Sequence, residues 1–93
     1  MIRSFKDEQT ENLYRRQVSR RLPLDIQNAA RKKLRIINAA TELSDLRVPP
    51  GNRLEALKGD RKGQHSIRVN DQWRICFRWD GKDAYDVEIT DYH

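Results

Sequence analysis

Ninety-three residues, 37% hydrophobic and 35% charged with a net charge of +5, make one domain with room for a single two-layer core. Cys76 is the lone cysteine, so an internal disulfide framework is excluded and a reducing cytosol is expected; with only His65 and His93 beside it, no credible zinc site exists. No apolar run approaches the roughly 18 residues needed to cross a bilayer, and the first residues lack the apolar core of a signal peptide. The positive charge points to an anionic partner, whether nucleic acid, an acidic protein or a membrane surface; many small soluble domains are basic without such a partner.

Met1 to Phe5 alternates Ile2 and Phe5 with Arg3 and Ser4 and fits a short strand. Asp7 to Val18 is polar, with Leu13, Tyr14 and Val18 as a thin apolar stripe, which predicts a surface helix. Ser19 to Pro23 breaks it. Leu24 to Ala40 is the clearest helix: Ile26, Ala30, Leu34, Ile37 and Ala40 recur at spacings of three and four, and Asp25 suits the positive end of the helix dipole. Its other side carries Arg31, Lys32, Lys33 and Arg35. Three readings stand for this cluster: a nucleic-acid patch, a solvated face, or a seat for an acidic partner chain. Thr41 to Leu46 adds a short helical turn, Arg47 to Asn52 is a loop by its Pro-Pro-Gly content, and Leu54 and Leu57 are apolar anchors between that loop and the strands.

The last third holds three alternating runs. Ile67 and Val69, then Trp73, Ile75, Phe77 and Trp79, then Tyr85, Val87 and Ile89 are apolar at every second position, while Arg68, Asn70, Arg74 and Arg78 fall between. Successive strand residues point to opposite faces, so this is an antiparallel meander with one buried face. Asn70-Asp71-Gln72 and Asp80-Gly81 supply the turns. The fold class is α+β: two N-terminal helices packed on one face of the sheet, in a single domain spanning residues 1–93.

The exposed face would carry Arg68, Asn70, Arg74 and Arg78, flanked by Lys58, Arg61 and Lys62, with only Asp60 and Asp71 as acidic neighbours from Lys58 to Arg78. Such a surface attracts a phosphodiester backbone, and arginine engages phosphate through paired hydrogen bonds. Tyr92 offers a ring for stacking on an unpaired base. His93 offers a group that exchanges protons near neutral pH. The alternative for both is a frayed terminus.

Leu57-Lys58-Gly59-Asp60, Ser66-Ile67-Arg68-Val69-Asn70, Trp73-Arg74-Ile75 and the terminal Asp91-Tyr92-His93, with the Met1-Ile2-Arg3-Ser4-Phe5 opening, together resemble the HigB-type toxins of bacterial toxin–antitoxin pairs, within the RelE-like superfamily. The middle of the chain looks especially like the GraT branch. The resemblance implies a RelE-like fold and a ribosome-dependent mRNA endoribonuclease that inhibits translation without a metal or other cofactor, by attack of the ribose 2′-OH on the adjacent phosphate. Carried over by residue, it implies catalytic roles for Lys58 and Arg74 as phosphate and transition-state stabilisers, for Tyr92 in stacking, and for Asp91 and His93 in completing the site. Arg61, Lys62, Arg68, Asn70 and Arg78 are expected to bind RNA. Glu55 stands where some members have His, and Asn70 near a position where some have Arg; Arg68 shares the strand of Asn70. The implied partners are a helix-turn-helix antitoxin of the HigA type, the ribosome with its mRNA, and operator DNA only through the antitoxin complex, with no membrane. A non-catalytic RNA-binding, ribosome-binding or corepressor module on the same fold is the alternative. A metal-dependent nuclease built on Asp83, Asp86, Glu88 and Asp91 is a third reading, for which charge pairing is the simpler account.

Overall fold

Asp7 opens the first helix by accepting the amide of Thr10 on Oδ1 at 2.7 Å, the standard way to satisfy an orphan N–H at a helix start. In this computed structural model, which describes residues 1–18 and 21–91, helix α1 spans Glu8–Tyr14 and α2 spans Leu24–Ala39. Helix α1 is shorter than its polar pattern predicts. Arg16 takes a left-handed φ of 69°, its amide donates to the Leu13 carbonyl and that of Gln17 to the Asn12 carbonyl. This paired closure ends a helix and is most often built on glycine. Val18 therefore falls outside the helix and is 69% exposed rather than part of an apolar stripe. Helix α2 obeys its sequence pattern: Ile26, Ala30, Leu34 and Ile37 are all buried.

A four-stranded antiparallel sheet comes next, in the order β1 (Glu55–Ala56), β2 (Gln64–Arg68), β3 (Trp73–Asp80) and β4 (Asp83–Asp91). Short 3-10 turns at Leu43–Arg47, Pro50–Asn52 and Gly59–Arg61 lie along the path from α2 into the sheet. The β2–β3 turn is held by Asn70, whose Oδ1 accepts the amides of Gln72 and Trp73, each at 2.8 Å. The β3–β4 hairpin closes at Asp80 and Asp83 with Gly81 at φ 62°, a conformation that glycine adopts without strain. The first residues lie parallel to β4, through bridges between Ile2 and Ala84 and between Phe5 and Val87. They cover that edge of the sheet.

The core lies between the helices and one sheet face. Leu13, Ile26, Ala30, Leu34, Ile37 and Leu46 meet Ile67, Ile75, Phe77, Val87 and Ile89. Thr10 pins α1 to β4 by accepting the Ile89 amide at 3.1 Å. One expectation fails within β4. The register slips between Cys76 and Arg78, and Asp86 takes φ 53°, forming a bulge. A bulge adds one residue to one strand and shifts its phase. Ala84 thus enters the core, while Tyr85 turns to the opposite face beneath Arg78, 6.0 Å from guanidinium carbon to ring centroid.

Candidate nucleic-acid interface

The second sheet face is less open than alternation implies. Ser66, Arg74 and Cys76 lie on it and are all buried. Register sets Arg68 directly opposite Arg74 and Arg74 opposite Thr90. Two guanidinium groups facing each other across a ladder repel, and the chain resolves this by sending them to different partners. Arg68 pairs with Asp71. Arg74 Nε donates to Ser66 Oγ at 2.7 Å, its Nη2 donates to the Arg53 carbonyl at 2.8 Å, and Nη2 lies 3.8 Å from Glu55 Oε2.

The other predicted RNA-binding arginines are also partnered. Arg61 donates to Glu88 at 2.6 Å and to Gln64 at 3.1 Å, and Arg78 donates to Asp86 at 2.7 Å. The scarcity of acidic residues between Lys58 and Arg78 is a property of the sequence, not of the surface: β4 and β1 bring Asp86, Glu88 and Glu55 onto the face. Lys58 and Lys62 are exposed, and no ion pair engages either among the described residues. Asn70 is exposed, but its side-chain oxygen already serves the β2–β3 turn.

Lys58, Arg61 and Glu55 line one cavity of about 520 Å³ beside β1. Because Glu55 also reaches Arg74, it joins the lysine side of this cavity to the buried arginine. The structure thus sets Lys58 and Arg61 on one side of Glu55, along the cavity wall, while Arg74 reaches its carboxylate from the sheet. Arg78 sits four residues further along β3, roughly 13 Å away by strand rise, with Asp86 and Tyr85. Asp91 pairs with Trp73 and accepts from Gln72 at 3.1 Å, one position beyond Thr90, which stands opposite Arg74. Strand parity therefore sets Asp91 on the other side of the sheet from Arg74. Tyr92 and His93 lie outside the described residues. The four carboxylates of the metal reading are spread among cations and polar groups: Asp83 faces the N-terminal amine and Arg3, Asp86 faces Arg78, Glu88 faces Arg61 and Lys6, and Asp91 faces Gln72.

Sequence reasoning missed Ser66 and Arg53 as neighbours of Arg74. Ser66 reads as an ordinary polar position in an alternating strand, and nothing local marks a carbonyl in Arg53 as a ligand. On α2 the basic cluster divides. Lys33 bonds to the buried Asn52, and burial together with the neighbouring Lys32 charge lowers its pKa. Arg31 ties α2 to α1 through the Leu13 carbonyl at 2.9 Å. Arg31, Lys32 and Arg35 line a shallow groove with Arg16, Val18 and Asn28.

Residues 3–93 match the family described as the RelE-like toxin of type II toxin–antitoxin system HigB. The chain is 50% identical over 80 residues to "Toxin HigB-1" of Vibrio cholerae serotype O1, covering 85% of this chain and 84% of that protein. It is 37% identical over 93 residues, the full length of both chains, to "Endoribonuclease HigB" of Proteus vulgaris. Among solved structures, YafQ from E. coli strain BL21(DE3) shares the fold with a TM-score of 0.62 at 15% identity, over 98% of this chain and 91% of that one. A point mutant of E. coli YafQ gives 0.65 at 13% identity over the same shares. The chain belongs to the HigB-like toxins, the RelE-like toxin components of type II toxin–antitoxin systems.

Proposed function

We propose that this toxin is an endoribonuclease that cleaves mRNA on the ribosome, without a metal, by attack of the ribose 2′-OH on the adjacent phosphate. The full-length relative named as an endoribonuclease supports RNA cleavage. The observation that carries the chemistry is the placement of Glu55, which lines one edge cavity with Lys58 and Arg61 and lies 3.8 Å from the buried Arg74.

In the reaction the 2′ oxygen forms a bond to phosphorus as the bond to the 5′ oxygen breaks, leaving a cyclic phosphate and a free 5′ hydroxyl. The phosphorane between them carries an additional negative charge. Fixed cations aimed at that charge stabilise it without reorganising during the reaction. Arg74 serves as the preorganised cation and Lys58 as the mobile one, reaching in from the exposed turn. The phosphate takes the position of the Glu55 carboxylate, which at 3.8 Å is a looser Arg74 contact than Ser66 Oγ or the Arg53 carbonyl. His93 is the group whose ordinary pKa suits proton transfer near neutral pH, and Tyr92 stacks on the nucleotide. Asp91, tied to Gln72, fixes the strand end that precedes them in sequence. Lys62, Arg68 and Arg78 contact the RNA backbone further out, and Asn70 supports the β2–β3 turn beside it.

The antitoxin that pairs with this toxin is a helix-turn-helix protein of the HigA type, acidic or charge-neutralising against the +5 toxin; operator DNA is bound through that complex, and the toxin acts in the cytoplasm. A second reading is favoured by the burial of Arg74, held by Ser66, Arg53 and Glu55 of its own chain: a non-catalytic module that binds the ribosome on the same fold. Mapping mRNA 5′ ends on purified ribosomes separates them. New ends that need both ribosome and Arg74, and persist in EDTA, support the nuclease. Ribosome binding with no new ends, in wild-type protein and Arg74→Ala alike, supports the module.

A further inference from the structure

An arginine presents a planar, weakly hydrated fork of donors that suits phosphate, but the fork acts only where its orientation is fixed. Arg74 is buried and held. Its residue exposure is 9%, and the guanidinium is gripped by Ser66 Oγ on Nε and by the Arg53 carbonyl on Nη2. Ser66 is fully buried, so its hydroxyl has been withdrawn from water to make this bond. Its strand neighbours focus the arrangement: Ser66 is directly opposite Glu55 on β1 and Cys76 on β3. Arg53 has φ 46° and ψ 56°. That left-handed conformation is unfavourable for a residue with a Cβ, and its carbonyl is the one bonded to Arg74. Both accepting groups are neutral, so neither competes electrostatically with a phosphate.

We propose that Ser66, through its hydroxyl, and Arg53, through its left-handed backbone, are positioning residues that hold the Arg74 guanidinium in the orientation a substrate phosphate needs. The inference rests on the reading of Arg74 as a phosphate ligand. Two neutral acceptors keep the group fixed while Glu55, at 3.8 Å, is exchanged for the phosphate. The geometry thus supplies orientation in advance, the contribution that separates a preorganised cation from a nearby one.

The test is single-turnover and steady-state cleavage of a defined mRNA on purified ribosomes. Ser66→Ala is expected to lower kcat about 10- to 100-fold, the range for losing a hydrogen bond to a charged group, with KM changed less than about twofold. Ser66→Thr, which keeps the hydroxyl, restores most of the rate. In an Arg74→Lys background, which removes the Nε donor, Ser66→Ala adds less than about twofold. Arg53→Val lowers kcat more than Arg53→Gly, because glycine accepts the left-handed φ; this pair tests the idea even where Ser66→Ala fails to fold. Equal losses from Ser66→Ala in the wild-type and Arg74→Lys backgrounds overturn the proposal, as does an unchanged kcat in folded Ser66→Ala. Full cleavage by Arg74→Ala overturns instead the reading on which it rests.

Discussion

At the scale of single residues, Glu55 sits where it opposes the proposed substrate. Its carboxylate shares a cavity with Lys58 and Arg61 and lies 3.8 Å from Arg74. A phosphodiester entering there displaces one negative charge with another. Glu55→Gln keeps the shape and removes the charge, so RNA affinity is expected to rise severalfold, read as a fall in the ribosome-complex Kd at low salt; an unchanged or weaker Kd sinks this account. His65 makes a different prediction. It stacks on Phe77 at 6.2 Å, and burial lowers its pKa below the ordinary 6.5. The unfolded chain therefore holds more protons than the folded one just below pH 6.5. Stability is full above that pH and declines as the pH falls toward the depressed folded value. Urea midpoints at pH 7.5 and 5.5 check the slope, and His65→Leu is expected to flatten it. An undiminished slope in the variant assigns the effect elsewhere. The Cys76 thiol is shifted the other way: burial raises its pKa, so it stays a protonated, unreactive core residue.

At the scale of elements, the features legible in the sequence were those that depend on periodicity. The stripe of α2, the meander and the Asp80-Gly81 hairpin all come from local pattern and turn chemistry. The illegible ones depend on exceptions to local rules. Arg16 ends α1 in a position usually given to glycine, and Asp86 bulges β4 without a glycine to announce it. That single bulge exchanges Ala84 and Tyr85 between faces. The site was legible as a set of basic residues but not as a set of partners. Arg61–Glu88 spans 27 residues of sequence and Arg74–Arg53 spans 21, so their convergence is a consequence of register. Helix α2 is the element on which stability is most exposed to mutation. Leu34 is fully buried in the common core, and Leu34→Ala is expected to cost about 2–5 kcal/mol, enough to consume much of the stability of so small a domain. Chemical denaturation measures this directly; a loss under about 1 kcal/mol would mean that the core closes over the cavity.

At the scale of the whole molecule, charge and chain order matter most. The +5 charge is distributed over a partly neutralised sheet face and a basic groove on α2. Binding to ribosomes is expected to weaken steeply between about 50 and 200 mM salt, by about 10³-fold if roughly six phosphates are engaged; affinity that is flat in salt would remove the electrostatic reading. The chain order has its own outcome. Residues 1–6 are seated against β4, with Arg3 and Lys6 donating backbone hydrogen bonds to Ala84 and Val87, so a segment synthesised early waits for one synthesised late. While β4 is still inside the exit tunnel, both the edge of the sheet and the Thr90 side of the arginine site are missing. On the proposed function, a nascent chain is then expected to be inert toward the ribosome that is making it, with cleavage starting only once β4 has emerged. Nascent chains stalled with β4 enclosed should be readily digested by protease and released chains resistant; equal resistance in both would show that closure precedes release.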